Sequence, residues 1–124
     1  MKISYKFYWL SLIILFTALF FPFNGKVTGA SYDKLAHLLL FAFVSMNTFF
    51  YFFTNKKLLV FNLIFVFSLP LTTEILQLFI KGRHFEVNDI IADTLGILFG
   101  ALIYFLLKSL ITKIYGLLGE HNQQ

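Results

Sequence analysis

Residues 58–80 read LLVFNLIFVFSLPLTTEILQLFI, a run whose one charged residue is Glu74. As a helix rising 1.5 Å per residue, a stretch of this length covers about 30–35 Å, the thickness of a bilayer's hydrocarbon. Backbone polar groups in lipid must pair within the segment, so a run this apolar is expected to be helical. Moving outward, residues 35–53 and 87–107 have the same character, and residues 7–23 form a fourth run. The connections at 24–34, 54–57 and 81–86 are short. Short connections make successive helices antiparallel neighbours. The expectation is an all-α polytopic membrane protein, an antiparallel bundle of four transmembrane helices forming one domain over 1–124. The tail after Lys108 stays apolar through Leu110, Ile111, Ile114, Leu117 and Leu118, with Lys108 and Lys113 at its polar positions. It either extends the last helix or lies in the interface.

Composition points the same way. Of the 124 residues 59% are hydrophobic and only 13% charged, and Phe alone occurs 18 times. A water-soluble chain this short has no interior large enough for so much apolar surface. The absence of Cys excludes disulfides, thiolate metal sites and cysteine nucleophiles. The net charge of +4 comes from scattered basic residues that flank the apolar runs. Nucleic-acid binding would require a clustered basic face.

The first run has some features of a signal peptide, with Lys2 and Lys6 before it and Thr28-Gly29-Ala30 as a weak cleavage site. It reads better as a retained anchor. It is aromatic, it exceeds the usual apolar core of about 7–15 residues, and Lys26 intervenes before the cleavage site. Lys and Arg placement then sets orientation. With both termini in the cytoplasm of a bacterial inner membrane, Lys2, Lys6, Lys56, Lys57, Lys108 and Lys113 lie inside, and Lys26, Lys34, Lys81 and Arg83 lie outside. Asp33, Glu74, Glu86, Asp89 and Asp93 all fall on or toward the outer side.

Most residues able to do chemistry therefore collect at one end. Asp33, Lys34 and His37 open the second run, Glu74 and Gln77 close the third, and Lys81, Arg83, His84 and Glu86 form the connection to Asp89 and Asp93. At about 100° per residue, Asp33 shares a face with His37, Glu74 with Gln77 and Lys81, and Asp89 with Asp93, Gly96 and Gly100. Glu74 lies about 10 Å below the connection. An ionisable group within a span is expensive and needs a partner or water. Arg83, Lys34 and His37 are the cations within reach. Pro70 removes a helix hydrogen bond one turn earlier and can bend the third helix to open a vestibule beside Glu74. Simpler readings stand beside these. Asp89 suits a helix N-terminus, Glu74 with Arg83 makes a structural ion pair, His37 is an interface histidine, and Gly96-x-x-x-Gly100 is a packing groove.

The spacing Glu74-x-x-Gln77, Gly82-Arg83, Asp89, Asp93, Gly96, Gly100, preceded by Asp33-Lys34-x-x-His37, resembles the VanZ-like membrane proteins. Matching motifs run from Asp33 to Gly100. Lys81 stands where that family often has Pro, and Asp93 where Asn is common. The resemblance implies a small integral membrane protein with a role in the cell envelope. The namesake is associated with resistance to teicoplanin; a role in antibiotic resistance for this chain does not follow from the match.

Three functions remain open. In the first, Asp33, Lys34, His37, Glu74, Gln77, Arg83, Asp89 and Asp93 bind the anionic headgroup of a membrane lipid or a lipid-linked cell-wall precursor, with Arg83 and Lys81 on the phosphate. In the second, the chain is an interfacial enzyme, with His37, Glu74 or Asp93 catalytic and Mg²⁺ held by Asp89 and Asp93. The usual zinc-protease, serine-hydrolase and phosphate-loop motifs are missing, and no cofactor is expected otherwise. In the third, the glycine stripe docks the chain on a larger complex or, as a homo-oligomer, on a second copy through Gly96 and Gly100. No nucleic-acid partner is expected.

Overall fold

The computed structural model describes residues 5–21 and 30–121, and these are helical apart from short turns. The chain order is α1 (Lys6–Phe20), α2 (Ala30–Phe52), α3 (Lys56–Gln77) and α4 (Val87–His121). Among the described residues three helices are long and apolar enough to cross a membrane: Tyr32–Phe52, Lys56–Gln77 and Val87–Leu118. The described α1 has 15 residues, short of the roughly 17–25 that a span needs. Residues 22 and 23 of the expected first run, together with Lys2, Lys26 and the Thr28-Gly29 part of the cleavage-site reading, lie outside the described residues.

The helix ends differ from those expected. α2 begins at Ala30 rather than 35, because an N-terminal turn carrying Asp33 favours the helix dipole. Asp33 and Lys34 therefore sit inside the helix and not before it, in line with His37. α3 starts behind Asn55, whose side chain accepts from the Leu58 N–H at 3.2 Å. It stops at Gln77 rather than 80, and Gly82 at φ 86 supplies the left-handed residue that turns the chain toward α4. α4 does not stop near 107. It runs 35 residues, about 50 Å at 1.5 Å per residue, so the apolar tail is an extension of the last helix.

Contacts set the directions. Gly96 lies against Leu38 and Gly100 against Ala42, so α2 and α4 run the same way. Tyr5 and Tyr8 at the start of α1 pack on Phe52 at the end of α2, which makes these two helices opposed. Tyr8 meets Asn62, and Leu19 meets Gln77, so α1 runs with α3. The closest seam is α2 on α4. A Cβ at Gly96 or Gly100 would fall within 2.3 or 2.1 Å of the Leu38 or Ala42 carbonyl oxygen. The glycine stripe is thus filled by α2 of the same chain, which removes it as the seat for a second copy or a larger complex. Ser45 crosses the seam to the Ile97 carbonyl at 2.7 Å, a bond only closely packed backbones permit.

The core is a column of Tyr8, Leu12, Leu15, Leu19, Phe41, Val44, Val66, Leu69 and Ile97. Opposite it, Phe7, Trp9, Ile13, Phe61, Ile64, Phe79 and Leu106 are exposed. A helix apolar on both its buried and its outer face belongs in lipid.

Candidate functional site

Because α2 and α4 run together, their first turns lie side by side, and the loop after α3 brings the end of that helix to the same place. His37, Glu74, Gln77, Asp89 and Asp93 are all buried there, none more than 3% exposed. His37 is the hub. Its Nδ1 lies 2.8 Å from Asp93 Oδ1. Toward an ionised Asp93 the ring donates from Nδ1, and in that neutral tautomer Nε2 keeps its lone pair. Nε2 faces Asp89 Oδ2 at 3.9 Å, too far for a hydrogen bond.

The expected pairings across helices are partly redrawn. Lys34 bonds Asp89 Oδ1 at 2.8 Å and Glu86 Oε2 at 2.9 Å. Glu74 does not pair with Arg83. Its Oε2 accepts the backbone N–H of Glu86 at 3.0 Å, an anchor for the loop. Arg83, one third exposed, turns instead toward Asp33 Oδ2 at 3.9 Å. Gly82 places Arg83 at the loop's outer edge, away from the depth of Glu74. Gln77 Nε2 donates to the Leu19 carbonyl at 3.2 Å and ties α3 to α1. Lys81 and His84 are exposed. Glu74 is 0% exposed and α3 continues through Pro70, so no vestibule opens on its carboxylate.

Among the described residues, the group arranged like metal ligands is Asp33, His37 and Asp89, whose ligand atoms all lie within 4.8 Å of one another. The expected pair was Asp89 with Asp93. Asp93 is already engaged by His37, from the side opposite Nε2. Glu86 was missed as a site residue. Its position directly before the first apolar turn of α4, three residues ahead of Asp89, was the available signal, since an acid there sits at the positive end of the helix.

Asp33 and Asp89 in the first turns of α2 and α4 are what helix dipoles favour in any protein. Asp93 and Glu74 lie deeper, beyond any capping role. Burying ionisable groups in an apolar bundle is costly enough that such groups mark working sites.

No match is found among curated proteins or among solved structures. The family model described as VanZ/LLP1 matches residues 3–108, a stretch that contains every residue of the polar cluster. With three helices of membrane-spanning length and this match over most of its length, the chain belongs to the VanZ/LLP1 family and is a VanZ-like membrane protein.

Proposed function

We propose that the chain crosses a bacterial inner membrane four times as an antiparallel bundle, α1 included, with both termini cytoplasmic. In this reading the polar end of α2, α3 and α4 faces outward and binds the anionic headgroup of a membrane lipid or lipid-linked wall precursor. Altered glycopeptide susceptibility is then a downstream effect on the envelope. One observation carries this: four ionisable side chains, His37, Glu74, Asp89 and Asp93, are buried with Gln77 at one end of the bundle, while the other buried polar residues, Ser11, Ser45, Asn47, Thr48 and Thr73, are uncharged. Packing alone gives no reason to keep them there. Arg83 and exposed Lys81 at the rim supply the first cationic contacts for a phosphate.

Orientation is tested by His84→Cys, because the chain has no other cysteine. Labelling by an impermeant maleimide in intact cells is expected; labelling only after permeabilisation reverses the topology. Binding is tested with purified protein and vesicles of phosphatidylglycerol or phosphatidylcholine. Preference for the anionic vesicles, lost on His37→Gln, is the expected result, and equal binding to both removes the headgroup reading.

A second reading rests on the His37–Asp93 bond of 2.8 Å. An imidazole oriented through Nδ1 is a general base at Nε2 for a water that attacks the headgroup phosphorus, the P–O bond to the departing alcohol breaking as that alcohol takes up a proton. Release of a headgroup or phosphate from lipid, abolished by His37→Gln and reduced by Asp93→Asn, would establish it over binding alone.

A further inference from the structure

The polar end carries more negative charge than its cations offset. Asp33, Glu74, Glu86, Asp89 and Asp93 lie there against Lys34, Lys81 and Arg83, with His37 and His84 beside them. Two carboxylate oxygens, Glu74 Oε1 and Asp93 Oδ2, are fully buried and accept no hydrogen bond. Asp93 is bonded to the His37 ring, and Glu74 holds the Glu86 amide three residues ahead of Asp89. A buried carboxylate oxygen without a donor is tolerated where the group is neutral or a cation balances it. An excess of carboxylates also repels a phosphate, so the headgroup reading lacks a counter-charge at depth.

We propose that Asp33, His37 and Asp89 bind a divalent cation, Mn²⁺ or Zn²⁺ by their mixed oxygen and nitrogen ligands, and that this ion receives the anionic headgroup. The geometry is close to what an ion needs. Donors about 2.0–2.2 Å from one metal lie roughly 3–4 Å apart. His37 Nε2 and Asp89 Oδ2 are 3.9 Å apart, and the whole trio closes within 4.8 Å. Lys34 takes only Oδ1 of Asp89, which leaves Oδ2 for the ion. Asp93 is the positioning residue. It holds Nδ1 as the outer carboxylate of a carboxylate–histidine–metal arrangement does, fixing both the tautomer and the ring orientation. Asp33, about 40% exposed on its side chain, opens the ion's remaining positions toward the end of the bundle. The headgroup half of this inference rests on the function proposed above; the ion-binding half stands apart from it.

The test uses the full chain in detergent, stripped with chelator and then titrated with MnCl₂ or ZnCl₂ by calorimetry and, for manganese, by electron paramagnetic resonance. One saturable ion per chain is expected. Asp33→Asn and His37→Gln should each weaken it at least about tenfold, and Asp93→Asn by roughly 10–100-fold. His84→Gln on the exposed loop should change nothing. Each variant is first melted without metal. Asp33→Asn, the least buried change, is the one expected to fold as wild type and so keeps the test decisive. No saturable binding below about 1 mM, or binding unchanged in a wild-type-like Asp33→Asn, overturns the ion site. Phosphatidylglycerol vesicles with and without MnCl₂ separate the two halves. Ion binding with no gain in vesicle binding removes the headgroup and keeps the ion; vesicle binding without ion binding does the reverse.

Discussion

The two ends of the helix bundle are built from different materials. At the end where α2 finishes, Tyr5 stacks on Phe52 with centroids 5.6 Å apart, Phe49 stacks on Tyr104 at 5.7 Å, and Lys108 lies 3.7 Å over the Phe53 ring. At the other end, His37, Glu74, Asp89 and Asp93 are buried. The aromatic end uses contacts that lipid does not weaken: large flat surfaces, a cation over a π face and rings suited to a membrane interface. It accounts for its own presence as packing. The carboxylate end is a poor choice for stability, since hydrophobic residues of like volume hold a buried site at least as well as a charged pair does. A function is what the second end adds. Between the two ends runs the α2–α4 seam, which both require.

The largest effect should come from that seam. Gly100→Leu places side-chain atoms where the Ala42 backbone already lies, 2.1 Å from the new Cβ. Neither helix backbone can yield cheaply, so a loss at or beyond the usual 1–3 kcal/mol of overpacking is expected, seen as a collapse of monodisperse protein in detergent. Gly116→Ala, on the part of α4 where nothing lies within 4 Å, should be neutral or stabilising, by up to about 1 kcal/mol from helix propensity. Equal tolerance at both positions would mean that α2 and α4 do not touch as described.

The next effect sharpens the contrast between the ends. His37→Ala and Asp93→Ala each leave a buried polar partner unpaired and should cost about 1–3 kcal/mol. The double variant should cost less than the sum, with a coupling of roughly 0.5–2 kcal/mol, as for hydrogen bonds within membranes. Thermal melts of all four proteins complete the cycle. Strict additivity would break the dyad. Smaller still is Tyr8→Phe near the aromatic end, where the bond from Tyr8 Oη to Asn62 at 2.8 Å is lost. A cost of about 0.5–1.5 kcal/mol is expected, with no change in vesicle or ion binding.

Much of this contrast is legible in the chain itself. Period and length mark the helices, and residue spacing puts Asp33 with His37, Asp89 with Asp93 and Glu74 with Gln77 on common faces. The burial of five of those six follows from the cost of any other placement. Partner choice across helices is not legible, because it depends on how far each helix is rotated and at what depth it starts. Arg83 illustrates this. Its sequence distance from Glu74 suggests a pair, yet Glu74 takes the Glu86 amide and Arg83 goes to Asp33. The helix ends were misjudged for a related reason. Hydropathy reports where lipid stops, and a helix such as α4 can continue past that point on its own backbone hydrogen bonds.

The smallest expected effect on stability is also the most informative about function. Arg83 is one third exposed and sits 3.9 Å from Asp33, itself partly exposed. An ion pair of this kind contributes about 0–1 kcal/mol. Arg83→Lys keeps the charge, so its melting temperature should match the wild type. Binding is another matter. A guanidinium offers a planar fork to two phosphate oxygens, and an ammonium offers a single strongly hydrated point charge. If Arg83 is the rim contact for an anionic headgroup, Arg83→Lys should weaken binding to phosphatidylglycerol vesicles while leaving the ion titration unchanged. Arg83→Gln should weaken it further, because the charge is gone as well as the fork. Equal vesicle binding by wild type, Lys and Gln variants would show that Arg83 only neutralises Asp33. The headgroup would then owe its hold to the buried end of the site alone, and Asp33→Asn, not Arg83→Gln, would be the change that releases it.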